Sequence, residues 1–165
     1  MNYLYPEIYL KSVFELDEKL LNKIGANTLI FDIDNTLVPY WVKTPTKELK
    51  EYFERLKNSG ITIAVLSNSR EERSKVFCAE NNIPYYYRAG KPGVKGMKAL
   101  LKRLGAVPEK SVLAGDQIFT DVLCANLSGV HSVLVKQVSK KDELITAPKR
   151  PFEKIVLFFY FRRKK

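Results

Sequence analysis

The residues that soft-metal and redox chemistry need are nearly absent from this chain. Its 165 residues include two Cys and one His. Cys78 and Cys124 stand in helix-like segments, with no CxxC and no cluster around His131, and so read as reduced, packed thiols. One His cannot build a His-rich zinc site. His131 is expected in the turn before a last strand and is given no catalytic role. Long apolar runs are missing too. The longest, Ile155 to Phe161, falls well short of the roughly 18 residues that span a bilayer. The opening Met1-Asn2-Tyr3-Leu4-Tyr5-Pro6-Glu7 has no basic stretch leading into an apolar one, so no signal peptide is expected. No internal repeat or low-complexity linker divides the chain, which at this length should form one domain with a real core.

What is present begins with charge. Hydrophobic content of 45% and charged content of 28% are ordinary for a soluble globular protein, but the net charge of +10 is unevenly placed. Residues 136–165 hold ten Lys and Arg against Asp142, Glu143 and Glu153, so +7 of the +10 lies in the last 30 residues. A basic end implies anionic company, either lipid headgroups or nucleic acid.

Ahead of that tail, apolar strand-like runs alternate with helix-like patterns. Strands are expected at 28–33, 61–66, 84–87, 111–114 and 132–135. The run at 61–66 is continuously apolar, as a strand covered on both faces should be. A short helix at 17–23 comes first, and others are expected at about 70–81 and 119–127. Pro45 opens a helix with Leu49, Tyr52, Phe53 and Leu56 on one face, and Val94, Met97, Leu100, Leu101 and Leu104 trace another. This alternation predicts an α/β fold: a doubly wound, mainly parallel five-stranded sheet with helices on both faces. The domain should span residues 1–136, with 137–165 as a basic, apolar tail.

Two of the strands end in carboxylates. Thr28-Leu29-Ile30-Phe31 runs into Asp32-Ile33-Asp34-Asn35-Thr36, and Ser111-Val112-Leu113-Ala114 into Gly115-Asp116-Gln117-Ile118-Phe119-Thr120-Asp121. In doubly wound sheets, ligands bind beyond the carboxyl ends of the strands, where strand order reverses. Neighbouring strands there would bring Asp32, Asp34, Asp116 and Asp121 together in a pocket suited to a hard divalent cation, Mg²⁺ above all. The strand at 61–66 delivers Ser67-Asn68-Ser69 ahead of a helix whose amino end favours anions. Lys91-Pro92 follows the strand at 84–87. Carboxylates for a metal, with hydroxyl, amide and ammonium groups for phosphate oxygens, point to phosphoryl chemistry. Taken singly, each is ordinary. Asp34-Asn35-Thr36 suits a turn, Ser67-Asn68-Ser69 a helix cap and Lys91 a solvated surface. Their joint order carries the inference.

The ordered set Asp32-x-Asp34-x-Thr36, Ser67, Lys91 and Gly115-Asp116-x4-Asp121 resembles the four motifs of the haloacid dehalogenase (HAD) superfamily of phosphotransferases, over residues 26–136. Within it the chain resembles the small phosphatases of subclass IIIA. Its Tyr5-Pro6-Glu7-x-Tyr9-x-Lys11-Ser12 and Gly115-Asp116-Gln117-x-x-Thr120-Asp121 stretches most resemble the phosphatidylglycerophosphatase-like group. The resemblance implies that Asp32 is the nucleophile and forms an aspartyl-phosphate, while Asp34 protonates the leaving oxygen and then activates water. It implies phosphate binding by Ser67 and Lys91 with Asn68 in support. It also implies Mg²⁺ held by Asp32, Asp116 and the main-chain carbonyl of Asp34, with Asp121 steadying Lys91 or a water on the metal. Asn35 and Thr36 are expected to support this arrangement.

Only 32 residues separate Asp34 from Ser67, and 23 separate Ser67 from Lys91, each stretch already filled by its own helix and strand. No cap domain fits. An open pocket suits a phosphate carried on something large: a lipid at a membrane, a protein or a nucleic-acid end. In the tail, Phe152, Ile155, Val156, Phe159 and Tyr160 are spaced for one face of a short helix ahead of Arg162-Arg163-Lys164-Lys165, as an interfacial anchor needs. Plain packing of that helix on the domain is the alternative, and nucleic acid is the least favoured partner. The sequence therefore predicts a capless, Mg²⁺-dependent phosphomonoester hydrolase, cytoplasmic and peripheral on the inner face of a membrane. Phosphatidylglycerophosphate is the substrate the resemblance favours. A phosphatase for phosphoprotein or nucleic-acid ends stays open, as does a non-catalytic module docking on membrane or RNA.

Overall fold

The chain, described over residues 3–141 and 147–163 in a computed structural model, alternates strands and helices. The strands are β1 (Ile8–Leu10), β2 (Thr28–Phe31), β3 (Thr62–Leu66), β4 (Tyr85–Tyr86), β5 (Ser111–Gly115) and β6 (His131–Val135). The helices are α1 (Glu18–Lys23), α2 (Lys47–Asn58), α3 (Glu71–Ala79), α4 (Lys95–Leu104), α5 (Leu123–Ser128) and α6 (Arg150–Arg163). Among the described residues, one parallel sheet runs β1-β6-β5-β2-β3-β4. The chain steps from β2 to β3 and β4, then crosses to β5 on the other side of β2. Strand order thus reverses between β2 and β5, whose carboxyl ends open on one crevice.

The expectation of five strands is corrected to six. The added strand, β1, lies in register with β6, with Ile8 opposite Val133. Three residues are too short to show a period of two, and the partner that makes this segment a strand is distant in sequence. His131 opens β6 and does not lie in the preceding turn. Its Nδ1 sits 2.7 Å from the carboxylate of Glu7, the residue just ahead of β1. The helix expected at 119–127 begins as a π-helical turn over Ile118–Val122 before α5.

The pleat divides the core. Leu29 and Phe31 of β2 face Phe53 of α2 and Phe77 of α3, whereas Ile30 faces Met97 and Leu100 of α4. Cys78 and Cys124 are buried free thiols, one on each side. Helix α2 starts where Thr46 Oγ1 accepts from Leu49 N at 3.2 Å, and its stripe Leu49, Tyr52, Phe53 and Leu56 is fully buried. The Tyr52 hydroxyl, at 2.8 Å from the Leu16 carbonyl, then fastens α2 to the amino-terminal segment.

Helix α6 lies on the domain beside a small cluster of Ile118, Val122 and Leu134. It turns Glu153, Val156, Leu157 and Tyr160 inward and leaves Phe152, Ile155, Phe158 and Phe159 exposed. The single face expected in the tail is therefore split. Val156 and Tyr160 pack inward, and Tyr160 meets Tyr5 edge-on at 5.8 Å. Asp142, Glu143, Lys164 and Lys165 of the tail lie outside the described residues. No helix among the described residues is long and apolar enough to cross a membrane.

Candidate active site

Parallel pairing of β2 with β5 sets Phe31 beside Ala114, so Asp32 and Asp116 leave the sheet at neighbouring points. The Asp32 amide donates to the Ala114 carbonyl at 2.9 Å and extends the ladder by one residue. Gly115 has a specific reason to be glycine. A Cβ there would stand 2.2 Å from Cγ of Asp121, so only a bare backbone lets that carboxylate lie over the strand end. After Asp34 the chain turns sharply through Asn35, whose φ of 61° is left-handed and whose amide donates to the Val38 carbonyl at 2.8 Å. Asn tolerates this conformation better than most residues.

Lys91 is delivered from the other side. The loop before it is zipped to the end of β3 by Arg88 N to Ser69 O at 3.0 Å and Ala89 N to Ser67 O at 2.9 Å. Asn68 clamps the lysine's backbone: its Oδ1 accepts from Lys91 N at 2.8 Å and its Nδ2 donates to Lys91 O at 3.0 Å. The side chain of Asn68 therefore orients the lysine. The Lys91 ammonium is buried between Asp32 Oδ1 at 2.7 Å and Asp121 Oδ1 at 2.6 Å. Burial pulls its pKa down, but Asp121 and Asp32 outweigh that and hold it above the usual lysine range. It stays charged.

The remaining groups divide between two directions. Asp34 points away from the lysine, accepting from Ser69 Oγ at 2.7 Å and from Arg73 Nε and Nη2 at 3.0 and 2.8 Å. Ser67 is buried with its Oγ accepting from Ser69 N at 3.0 Å. A cleft of about 720 Å³ is lined by Asp32, Asp34, Ser67, Asn68, Lys91 and Asp121 among others. Asp116 faces a neighbouring cavity of about 990 Å³. It accepts from Thr36 Oγ1 at 3.1 Å and is paired with Arg150 of α6. Residues 35–66 and 68–90 add only α2, β3, α3, β4 and their loops, so no cap covers the cleft.

The donor set fits a hard divalent cation. One oxygen each of Asp32, Asp116 and Asp121 lie within 4.8 Å of one another, all three buried. With all four aspartates ionised they outnumber the facing cations Lys91, Arg73 and Arg150 by one. Burial pushes Asp32 up to about 8 and Asp116 up to about 7, although Lys91 and Arg150 respectively pull them back. A cation at these oxygens would offset that penalty and favour the ionised forms.

A model of the HAD-hydrolase-like family matches residues 88–156. The Bacillus subtilis protein named "Probable phosphatase YqeG" is 35% identical over 152 residues, 92% of this chain and 88% of that one. The chain belongs to the HAD superfamily of phosphatases. The chloroplastic/mitochondrial phosphatidylglycerophosphate phosphatase 1 of Arabidopsis thaliana is 27% identical over 150 residues. That match covers 86% of this chain but 43% of the plant protein, less than half its length. Among solved structures, the cobalt-bound deoxy-D-mannose-octulosonate 8-phosphate phosphatase of Haemophilus influenzae superposes with a TM-score of 0.57 at 16% identity, over 68% of this chain and 69% of that one. That is a likeness of fold.

In this HAD phosphatase, Ser69, Arg73 and Arg150 touch the expected residues directly, and Glu153 reaches them through Arg150 and the Ile118 amide. Ser69 and Arg73 hold Asp34, and Arg73 carried a weak signal, one turn after the Ser67-Asn68-Ser69 stretch on a helix that starts there. Arg150 and Glu153 had none. Glu153 Oε1 accepts from Ile118 N at 2.6 Å and Oε2 from Arg150 Nη1 at 2.9 Å, so α6 grips both Asp116 and the turn that carries Asp121.

Proposed function

We propose that this HAD phosphatase hydrolyses a phosphomonoester on phosphatidylglycerophosphate at an anionic membrane surface, with Mg²⁺ as its metal. The observation that carries the chemistry is the Lys91 ammonium buried between Asp32 and Asp121, with the Asp116 carboxylate alongside. Asp32, Asp116 and the Asp34 carbonyl would hold the cation, which supplies charge stabilisation at the phosphoryl oxygens. An Asp32 oxygen attacks phosphorus as the bond to the leaving oxygen breaks, and the Asp34 carboxyl gives that oxygen its proton. Water then attacks the aspartyl-phosphate, the Asp34 carboxylate takes the proton, and phosphate departs with Asp32 restored. Lys91 and Ser67 bind the phosphoryl oxygens throughout, and Lys91 stabilises the charge that builds on them.

The choice of lipid is supported by the plant relative's printed name, by the open cleft, and by the exposed aromatic face of α6 beside Lys154, Arg162 and Arg163. It implies a peripheral position on a cytoplasmic membrane face. Phosphate release is to be measured with Mg²⁺ and with chelator on p-nitrophenyl phosphate, phosphatidylglycerophosphate in mixed micelles, a phosphopeptide and a 5′-phosphorylated oligonucleotide. Metal-dependent release, fastest on the lipid and reduced on the order of 10⁴-fold or more in Asp32→Asn, is expected. Preference for the peptide or the oligonucleotide would overturn the lipid assignment. No release from any of them would overturn the catalytic one.

A further inference from the structure

The cleft is much larger than one phosphoryl group, and its outer wall is cationic. Lys43 from the loop after β2, Arg70 at the start of α3 and Lys149 from the turn before α6 all line it. No carboxylate pairs with these three among the described residues, while Arg73 on the same wall is committed to Asp34 and to the Lys43 carbonyl at 3.1 Å. The acidic lining outside the aspartate cluster is Glu72. Three cations from three separate segments line one cleft together with Lys91, more positive charge than one phosphoryl group needs. The Arg70 side chain makes no cap hydrogen bond to α3.

We infer that Lys43, Arg70 and Lys149 bind a second phosphate on the same substrate, a phosphodiester a few bonds from the scissile phosphomonoester. The inference rests on the phosphatase reading and deepens it, because it assigns substrate selection to headgroup charge at the mouth rather than to acyl chains. An arginine fork and two flexible ammonium groups suit a diester's two free oxygens. Exposed contacts of this kind are individually weak and screened by salt, so three acting together amount to about tenfold in affinity at low ionic strength.

The test compares glycerol 3-phosphate, which has the monoester alone, with glycerophosphoglycerol phosphate, the deacylated headgroup that carries both phosphates and no lipid. The wild type should favour the second by about tenfold in kcat/KM, mostly through KM, and the preference should shrink as salt rises. In the triple variant Lys43→Gln, Arg70→Gln, Lys149→Gln the ratio of the two kcat/KM values should fall to about one. An unchanged ratio in that variant, or no preference in the wild type, would overturn the second site while leaving the phosphatase standing. Hydrolysis of neither compound would sink the phosphatidylglycerophosphate reading instead. Calorimetric binding of the two compounds to Asp32→Asn, with and without the triple substitution, then still decides the site: equal affinity for both overturns it, and tighter binding of the bis-phosphate that the triple substitution abolishes upholds it.

Discussion

Helices α2 and α6 are held to the same domain in different ways. Helix α2 buries Leu49, Tyr52, Phe53 and Leu56 as one stripe and turns its charged residues outward, so apolar area removed from water is enough to place it. Helix α6 buries a glutamate and a tyrosine and turns phenylalanines outward. Its contacts to the domain mix apolar ones, Val156, Leu157 and Tyr160 beside the Ile118 cluster, with polar ones, Glu153 on the Ile118 and Phe119 amides and Arg150 on Asp116. One helix is part of the core. The other is clamped to the pocket by charged residues and leaves Phe152, Ile155, Phe158 and Phe159 exposed.

Truncating the α2 stripe should have the largest effect on stability. Phe53→Ala leaves a cavity beneath β2 and should cost about 3–5 kcal/mol in chemical denaturation, whereas a loss below about 1 kcal/mol would break the contrast. Next comes pH, which acts where α6 meets the pocket. Burial raises Asp32 to about 8 and Asp116 to about 7, so in metal-free protein both favour the fold while protonated. Their contribution is complete below the unfolded carboxyl value and lost as pH rises through about 7 and then about 8. Thermal unfolding with chelator should show stability falling by a few kcal/mol between pH 6 and 9, and Mg²⁺ should restore it most at the alkaline end. Glu153→Ala should be intermediate, on the order of 1–3 kcal/mol, because it strands the buried Ile118 amide and the part-buried Phe119 amide. It should lower kcat as well, since the turn it releases carries Asp121, and unchanged kcat would show that α6 and the site are independent. Phe159→Ser should be the mildest for the fold, within about 0.5 kcal/mol, yet reduce co-sedimentation with anionic vesicles. Vesicle binding that survives it would remove the outer face of α6 from the lipid interface.

The fold was legible where hydrophobic pattern and structure share a period. The strands at 28–33, 61–66 and 111–114 and the α2 stripe needed only local sequence, because each is buried along its run, Thr62 apart, or along one helical face. The edge strand β1 was not legible, since a three-residue strand is defined by the partner it pairs with. In the site, Asp32, Asp34, Lys91, Asp116 and Asp121 were recognisable from order and spacing. The grips on them were not. Arg73 had only its place one turn after Ser67-Asn68-Ser69 to suggest it, and nothing local marks Glu153 as the cap of the Ile118 turn.

By itself the sequence determined the alternation of strands and helices, the carboxylates at the strand ends and the lack of room for a cap, because these depend on neighbours along the chain and on segment length. Tertiary structure alone decided that β2 and β5 lie side by side, that Lys91 stands between Asp32 and Asp121, and that the tail helix turns Glu153 inward and its phenylalanines out. Those outcomes come from pairing and packing between distant segments, where burial and charge compensation are settled jointly and no local pattern records the result.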